Sequence, residues 1–432
     1  VISISSNAPS DAVVGGASFT PAATGGPTGY PVVFRVEDSS VSVCSISAGV
    51  VRFVGVGTCL IGATQSGDSN YESASDSISF EVAKGFQAIT FTTAAPTTAV
   101  VGGAQYSPAA TGGATANNVV FQIASASNSI CTLTAGKISF QSPGDCVVEA
   151  NQDGNTNYNA APLQTQTISV GKGSQVLTFV SSAPSAARVG GTTYQPIVTG
   201  GPSTSSVAFS IASAAASVCS VSNGVVSFTG VGDCVIEANQ AGDAKYNAAN
   251  QLTQIVSVAK GIQVVTFTST PPSLRPVQGT TYTPTASSGG SGIAVVFTIA
   301  AEASSLCSIS NGVISFQAVG DCVVYANQTG NANWNAAPQV SQVFDITKGE
   351  QIVTITSAAP TDAVVGGTAY RPTATGGSGT KAVTFSVSAL SADICSASSG
   401  SISFQAAGVC LMVANQAGDA NYNAATPVSY TH

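Results

Sequence analysis

A pair of cysteines separated by fifteen positions recurs five times along the 432 residues and constrains the fold more than any other feature. Successive first cysteines lie 87, 88, 88 and 88 positions apart, which indicates tandem copies of one small structural unit. The sequence therefore predicts five domains, at 1–84, 85–172, 173–260, 261–348 and 349–432. The five pairs are Cys44 and Cys59, Cys131 and Cys146, Cys219 and Cys234, Cys307 and Cys322, and Cys395 and Cys410.

Cysteines that occur only in evenly spaced pairs are typical of disulfides formed in an oxidising compartment. Structural zinc is the alternative, but it usually takes four close ligands. Each repeat offers two cysteines, and the chain contains a single histidine, His432. We therefore predict one disulfide within each repeat and no metal. A disulfide that closes a loop of about 15 residues contributes about 3 kcal/mol in the chain-entropy account.

The residues around the cysteine pairs alternate between apolar and polar types. In the second repeat, for example, Val119, Phe121 and Ile123 occupy every other position. A period of two predicts strands with one buried face, and Gly and Pro steps separate roughly seven of them in each repeat. We predict an all-β chain of five Ig-like β-sandwich domains in an elongated rod. The last strand of the fifth repeat is expected to be incomplete.

Neighbouring repeats meet at a Lys-Gly step, which leaves little linker between the last strand of one and the first strand of the next. Such short connections predict semi-rigid junctions. The four junction lysines are Lys84, Lys172, Lys260 and Lys348.

The charge content limits the partners of the chain. Only 7% of the residues are charged, against about 25% in ordinary soluble domains, and the net charge is −8. No basic patch of the kind that binds nucleic acid is present. No apolar run approaches the roughly 18 residues of a membrane span, and the first residues do not read as a signal peptide. The composition fits a glycosylated exterior, a crowded cell-surface layer, or burial against neighbouring subunits.

Residues that could carry catalysis or bind a cation are scarce. The only histidine lies at the end of the chain, and every cysteine is predicted to be paired, so no nucleophile has a base beside it. Calcium takes six to eight oxygens, several of them from carboxylates. The Gly-Asp-x-Asn turns offer about one carboxylate each, and the turn at Gly330–Asn333 offers none. We predict no enzymatic activity and no cofactor.

Aromatic residues recur at two places in each repeat. The aromatic-x-Pro steps are predicted to lie in the core. The second set lies in Asn-rich turns near the end of each repeat, where an exposed ring could stack on a sugar, and these are candidate surface-contact residues. The first set is Phe19, Tyr106, Tyr194, Tyr282 and Tyr370, and the second is Tyr71, Tyr158, Tyr246, Trp334 and Tyr422.

The segment Val-Cys-Ser-Val-Ser-Asn-Gly-Val-Val-Ser-Phe-Thr-Gly-Val-Gly-Asp-Cys-Val-Ile, from Val218 to Ile236, resembles the signature of bacterial immunoglobulin-like repeats. These are the modules of invasin- and intimin-type adhesins. Gly418–Ala425 is similar to the companion motif near the end of such repeats. The resemblance covers all five repeats, although the two cysteine positions usually hold small residues. It implies Ig-like sandwiches in a bacterial cell-surface or secreted protein, where such modules serve as spacers, stalks or binders.

Three functions are compatible with these observations. The first is a non-enzymatic structural stalk or spacer of a bacterial surface or secreted protein. The second is a self-assembling subunit of an extracellular filament or sheath, which would polymerise through an open sheet edge in the fifth repeat. The third is a carbohydrate-binding adhesin. The predicted partners are further repeats, other copies of the chain or surface glycans, with no nucleic acid and no membrane insertion.

Overall fold

The structure is a computed structural model and describes residues 1–431, so His432 lies outside the described residues. Contacts between residues group the chain into two compact units, each described by itself below. The division between the units passes through the third repeat. Unit 1 comprises Val1–Val180, Val198–Ala208 and Ala238–Leu252, and unit 2 comprises Ser181–Ile197, Phe209–Glu237 and Thr253–His432.

The first repeat, in unit 1, contains seven strands arranged as one three-stranded and two two-stranded antiparallel sheets. They are β1 (Ser3–Ile4), β2 (Ala23–Thr24), β3 (Val33–Val36), β4 (Cys44–Ser47), β5 (Val50–Phe53), β6 (Gly57–Gln65) and β7 (Ala74–Val82). One sheet has the order β3-β6-β7. Separately, β1 pairs with β2 and β4 with β5, and an isolated bridge connects Phe19, between β1 and β2, to Val51 of β5. This is the strand arrangement of an Ig-type sandwich.

The second repeat, also in unit 1, has the same plan. Its sheets are β10-β13-β14 and the pairs β8-β9 and β11-β12, and an isolated bridge connects Tyr106, between β8 and β9, to Ile138 of β12. The strands are β8 (Thr90–Phe91), β9 (Ala110–Thr111), β10 (Val120–Ile123), β11 (Cys131–Thr134), β12 (Lys137–Phe140), β13 (Gly144–Asn151) and β14 (Gln164–Val170).

The third repeat contributes strands to both units. The pair β15-β16 lies in unit 1, and the pair β18-β19 lies in unit 2. The strands are β15 (Thr178–Phe179), β16 (Val198–Thr199), β17 (Val207–Ile211), β18 (Cys219–Ser222), β19 (Val225–Phe228), β20 (Gly232–Gln240) and β21 (Leu252–Val258).

The fourth and fifth repeats, in unit 2, repeat the plan of the first. The fourth consists of β22 (Thr266–Phe267), β23 (Ala286–Ser287), β24 (Val296–Ile299), β25 (Cys307–Ser310), β26 (Val313–Phe316), β27 (Gly320–Asn327) and β28 (Val340–Ile346). The fifth consists of β29 (Thr354–Ile355), β30 (Ala374–Thr375), β31 (Val383–Val387), β32 (Cys395–Ser398), β33 (Ser401–Phe404), β34 (Leu411–Gln416) and β35 (Val428–Thr431).

A single-turn 3₁₀ helix connects the third and fourth strands of every repeat. These helices are Asp38–Ser40, Ser125–Ser127, Ser213–Ala215, Ala301–Ala303 and Ala389–Ser391. Every strand falls inside one of the five ranges predicted from the sequence, although the domain boundaries themselves stay a prediction. The all-β class and the five disulfide-bonded Ig-like sandwiches are confirmed.

One disulfide in each repeat links the fourth strand to the three-stranded sheet, at the sixth strand in the first four repeats and at Cys410, just before the sixth strand, in the fifth. In the first repeat Cys44 lies on β4 and Cys59 on β6, with their Cα atoms 5.8 Å apart. Both residues are buried beside Val51 and Ile61, so the cystine is part of the core. The other four disulfides have Cα separations of 5.7–5.9 Å, within the usual range.

The aromatic-x-Pro residue packs on the core of each repeat. In the second repeat the hydroxyls of Tyr106 and Thr93 lie 2.7 Å apart, and Tyr106 donates to Gln166 Oε1 over 2.7 Å. The ring packs against the core, as the sequence predicted. Buried tyrosines usually place the hydroxyl on a polar partner in this way. Tyr194 and Tyr282 make the same contacts in the third and fourth repeats.

Removing one disulfide tests how much each sandwich depends on it. We expect Cys131→Ala combined with Cys146→Ala to lower the unfolding free energy of the second repeat by about 3 kcal/mol, because the unfolded segment regains conformational freedom. Calorimetry of the whole chain should show an early transition that the parent lacks. Thr132→Ala, on the exposed face of β11, is the matched control and should leave the curve unchanged. Identical curves for both variants would contradict the prediction.

Candidate functional site: the aromatic junctions between repeats

The repeated aromatic turns lie where one repeat meets the next. In unit 1, Tyr158 packs against the core of the first repeat and Tyr246 against that of the second. In unit 2, Trp334 packs against the third core and Tyr422 against the fourth. Tyr422 is only 6% exposed, whereas Tyr71 in the first repeat is 51% exposed. The preceding repeat packs against these four rings, of which Tyr158, Tyr246 and Trp334 are half-buried. Contact of the five aromatic residues with an outside partner stays a prediction.

Each aromatic residue is carried by a turn that an Asn or Asp side chain fixes. In the second repeat, Asn155 Oδ1 accepts hydrogen bonds from the backbone N–H groups of Asn157 and Tyr158, both over 2.9 Å. Such Asx turns are a common reason for Asn and Asp in loops. The ring is therefore presented by a turn held within its own repeat. Asp68, Asp243, Asn331 and Asp419 accept the equivalent bonds in the other repeats.

The glycine of each Lys-Gly step pairs with this turn through its backbone. Gly85 donates to the carbonyl of Asn157 over 2.9 Å and accepts from the N–H of Asn159 over 2.9 Å. A methyl group at Gly85 would lie 2.3 Å from the carbonyl oxygen of Val14 and 2.8 Å from the ring of Tyr158. Only glycine fits between the two repeats here. Gly173, Gly261 and Gly349 occupy the equivalent positions and make the same pair of backbone bonds.

The Val-Gly-Gly turn of the preceding repeat forms the other side of the ring site. Gly15 has a φ of +70°, and a methyl group there would lie 3.1 Å from the hydroxyl of Tyr158. A methyl group at Gly190 would lie 2.8 Å from the ring of Trp334. In the fourth repeat this position holds Gln278, with a φ of +56°. Gln278 therefore replaces the first glycine of the turn, and Gly279 keeps the second.

The junction lysines hold the aromatic turns instead of forming ion pairs. Lys84 Nζ donates to the backbone carbonyl of Asn155 over 2.8 Å. In the next junction Lys172 Nζ donates to the carbonyl of Asp243 over 2.6 Å. Lys260 and Lys348 make the corresponding bonds to Asn331 and Asp419.

A buried glutamine supports each turn, and sequence reasoning missed it. Gln87 Nε2 donates to the carbonyl of Asn159 over 2.9 Å, while Gln87 Oε1 accepts from the N–H of Thr115 over 3.1 Å. A buried amide needs such partners, and here it joins the aromatic turn to a Gly-rich loop. The available signal was the recurrence of Gln three positions after the junction lysine. The equivalent residues are Gln175, Gln263 and Gln351.

Hydrogen bonds set the electrostatics of two turns. The backbone N–H of Thr380 is the main cause that lowers the pKa of Asp419 to about 2, followed by the N–H of Asn421. The pKa of Asp243 is lowered in the same way, first by the N–H of Thr204. Both carboxylates are therefore ionised above pH 4, and their oxygens accept the bonds that shape the turn.

The contacts at the junctions are ring packing and hydrogen bonds. Among residues 1–431, no three His, Cys, Asp or Glu side chains come close enough together to hold a metal ion. No helix in the same range is both long and apolar enough to cross a membrane.

Comparisons with known proteins give structural likenesses only. No family model matches the chain, and no curated protein matches it. A tetra-tandem repeat in the extending region of a large adhesion protein is 18% identical and matches 80% of this chain and 98% of its own, with a TM-score of 0.26. Immunoglobulin domains 1–5 of Sidekick-1 are 13% identical, and the match covers 100% of this chain and 97% of theirs, with a TM-score of 0.24. Drosophila N-cadherin EC1-4 is 12% identical, and the match covers 73% of this chain and 91% of its own, with a TM-score of 0.21. Likenesses this weak carry no functional conclusion for the chain.

The two kinds of aromatic turn allow a matched test of the junction. We expect Tyr158→Ala to lower stability by about 2 kcal/mol, because its ring packs on the core of the first repeat. Tyr71→Ala removes an exposed ring and should cost less than about 0.5 kcal/mol. Calorimetry of the two variants checks the difference. Equal losses would show that the ring acts within its own repeat.

The acid dependence of the fifth repeat follows from Asp419. Its pKa is lowered in the folded protein, so its contribution to stability is present above about pH 4 and is lost as the pH falls through about 2. We expect the amide resonances of Thr380 and Asn421 to titrate with a midpoint near pH 2. The equivalent turn at Asn331 has no carboxyl group and is the internal control. A midpoint near the ordinary value of 3.8 would contradict the expectation.

Proposed function

We propose that the chain is a non-enzymatic spacer or stalk that carries mechanical load between the parts it connects. The observation that carries this proposal is the recurrence of one interlocked junction at four successive boundaries between repeats. Each junction combines a packed aromatic ring, two backbone hydrogen bonds to the linker glycine and a lysine bond to the turn. A flexible linker would need none of these features.

The disulfides support the same function. Each one closes a separation of 15 residues within the core of its sandwich. A covalent loop cannot extend when the surrounding strands are pulled apart, so a stretched repeat lengthens less than its residue count allows. The bonds also favour an oxidising compartment outside the cytosol. The resemblance to bacterial Ig-like repeats supports a place on a bacterial cell surface or in a secreted bacterial protein.

Single-molecule stretching of the whole chain tests the spacer. We expect five unfolding events of similar size. Reduction of the disulfides should lengthen each one by about 45 Å, the extended length of a 15-residue loop less its closed span. The reduced chain should also unfold at lower force. A gain in length in fewer than five events would mean that some disulfides do not form, and smooth lengthening without distinct events would contradict a load-bearing role.

Self-assembly into a filament stays an alternative. In the fifth repeat β35 pairs with β34 over four residue pairs, whereas β28 pairs with β27 over seven in the fourth. β35 is an edge strand of its sheet, and an exposed strand edge is a surface on which another strand can add. Light scattering and negative-stain microscopy of the purified chain distinguish the two: ordered filaments favour assembly, and monomers favour the spacer.

A further inference from the structure

A polar clamp accompanies the packed ring at three of the four junctions. The side chain of Asn157, next to Tyr158, accepts from the N–H of Val56 over 3.3 Å and donates to the carbonyl of Val54 over 3.4 Å. This asparagine therefore bonds to a loop of the preceding repeat through both ends of its amide. The equivalent bonds run from Val231 to Asn333 over 3.2 Å and from Val319 to Asn421 over 3.0 Å.

The junction between the second and third repeats departs from this pattern in both partners at once. Pro143 occupies the position of Val56, and proline has no N–H to donate. The residue before the aromatic ring is Lys245 instead of asparagine, and it is exposed. The backbone bonds of the junction are kept, since Gly173 still donates to Lys245 and accepts from Asn247 over 2.9 Å each. The change is therefore confined to the clamp.

We propose that this pair of positions determines which repeats can pack on each other. An asparagine before the ring, such as Asn157, pairs with a preceding repeat that has a free backbone N–H at the position of Val56. A preceding repeat with proline at that position, such as Pro143, pairs with lysine before the ring. The reason is the cost of an unpaired polar group: an asparagine facing proline loses its donor, and an N–H facing lysine loses its acceptor. This pairing rests on the spacer function proposed above and adds to it a preferred order of the repeats along the chain. The ring and backbone contacts cannot set that order, because they are the same at all four junctions.

The clamp also defines the partner that fits the exposed aromatic turn of the first repeat. Asn70 precedes Tyr71, and Asp68 Oδ1 accepts from the N–H groups of both residues over 2.7 and 2.9 Å. This turn thus has the geometry and the asparagine of the clamped junctions. A repeat of this kind that packs on it offers a free N–H at the clamp position, as Val56 does, and not a proline.

Converting the second junction to the common type tests the proposal in the full chain. The variants are Pro143→Val, Lys245→Asn and the two combined. We expect the combined variant to slow hydrogen exchange of the Gly173 and Asn247 amides about fivefold, the effect of roughly one net hydrogen bond. Each single variant should change exchange less than twofold, because each supplies only one of the partners. A Lys245→Ala variant controls for the loss of the charge.

The reciprocal conversion at the first junction uses Val56→Pro and Asn157→Lys. Each alone should speed exchange of the Gly85 and Asn159 amides, and the combined variant should recover part of the loss. No slowing in the Pro143→Val, Lys245→Asn protein, or full slowing with Lys245→Asn alone, would overturn the proposal. Either result would leave the spacer function intact, because the ring and glycine contacts do not involve these two positions, whereas smooth lengthening under force would count against the spacer alone.

Discussion

The cystine that ties the fourth strand to the three-stranded sheet is the interaction on which each sandwich depends. A domain of about 88 residues buries only about 60–65% of the surface its unfolded chain exposes, so its net stability is small. Here the first strands are two residues long and the second strands are as short. The covalent link between the sheets, placed among the most buried side chains such as Val51 and Ile61, offsets part of this shortage of regular structure.

The junctions add stabilising contacts between neighbouring repeats. Val14, at the edge of the first core, is buried with Tyr158 of the second repeat packed against its cluster. The core of one repeat is therefore completed by a side chain from its neighbour. There is no space for a methyl group at Gly85, so the linker lies in direct contact with the Tyr158 ring and with the carbonyl of Val14. Stability is then shared between neighbours, as in other repeat proteins, where interface terms add to the stability of each repeat.

Much of the fold was predictable because it depends on patterns within one repeat. Cys219 and Cys234 share the parity of the apolar residues on their strands, and both are buried in the structure. The role of Tyr158 could not be predicted in this way, because an aromatic ring in an Asn-rich turn reads as exposed when its repeat is considered alone. The ring is half-buried by residues of the preceding repeat, among them Gly15, about 140 positions earlier in the sequence. Gln87 was missed for a similar reason, since its partners lie on two separate loops.

The low charge of the chain fits the way its repeats are joined. Two ion pairs occur among residues 1–431, Arg35 with Glu37 and Arg275 with Asp345, and each lies within one repeat. The junctions instead use backbone groups, amide side chains and an ammonium that bonds a carbonyl, as Lys84 does. Salt screens interactions between exposed charges far more than it weakens packed apolar contacts or neutral hydrogen bonds. A connection built in this way depends little on ionic strength.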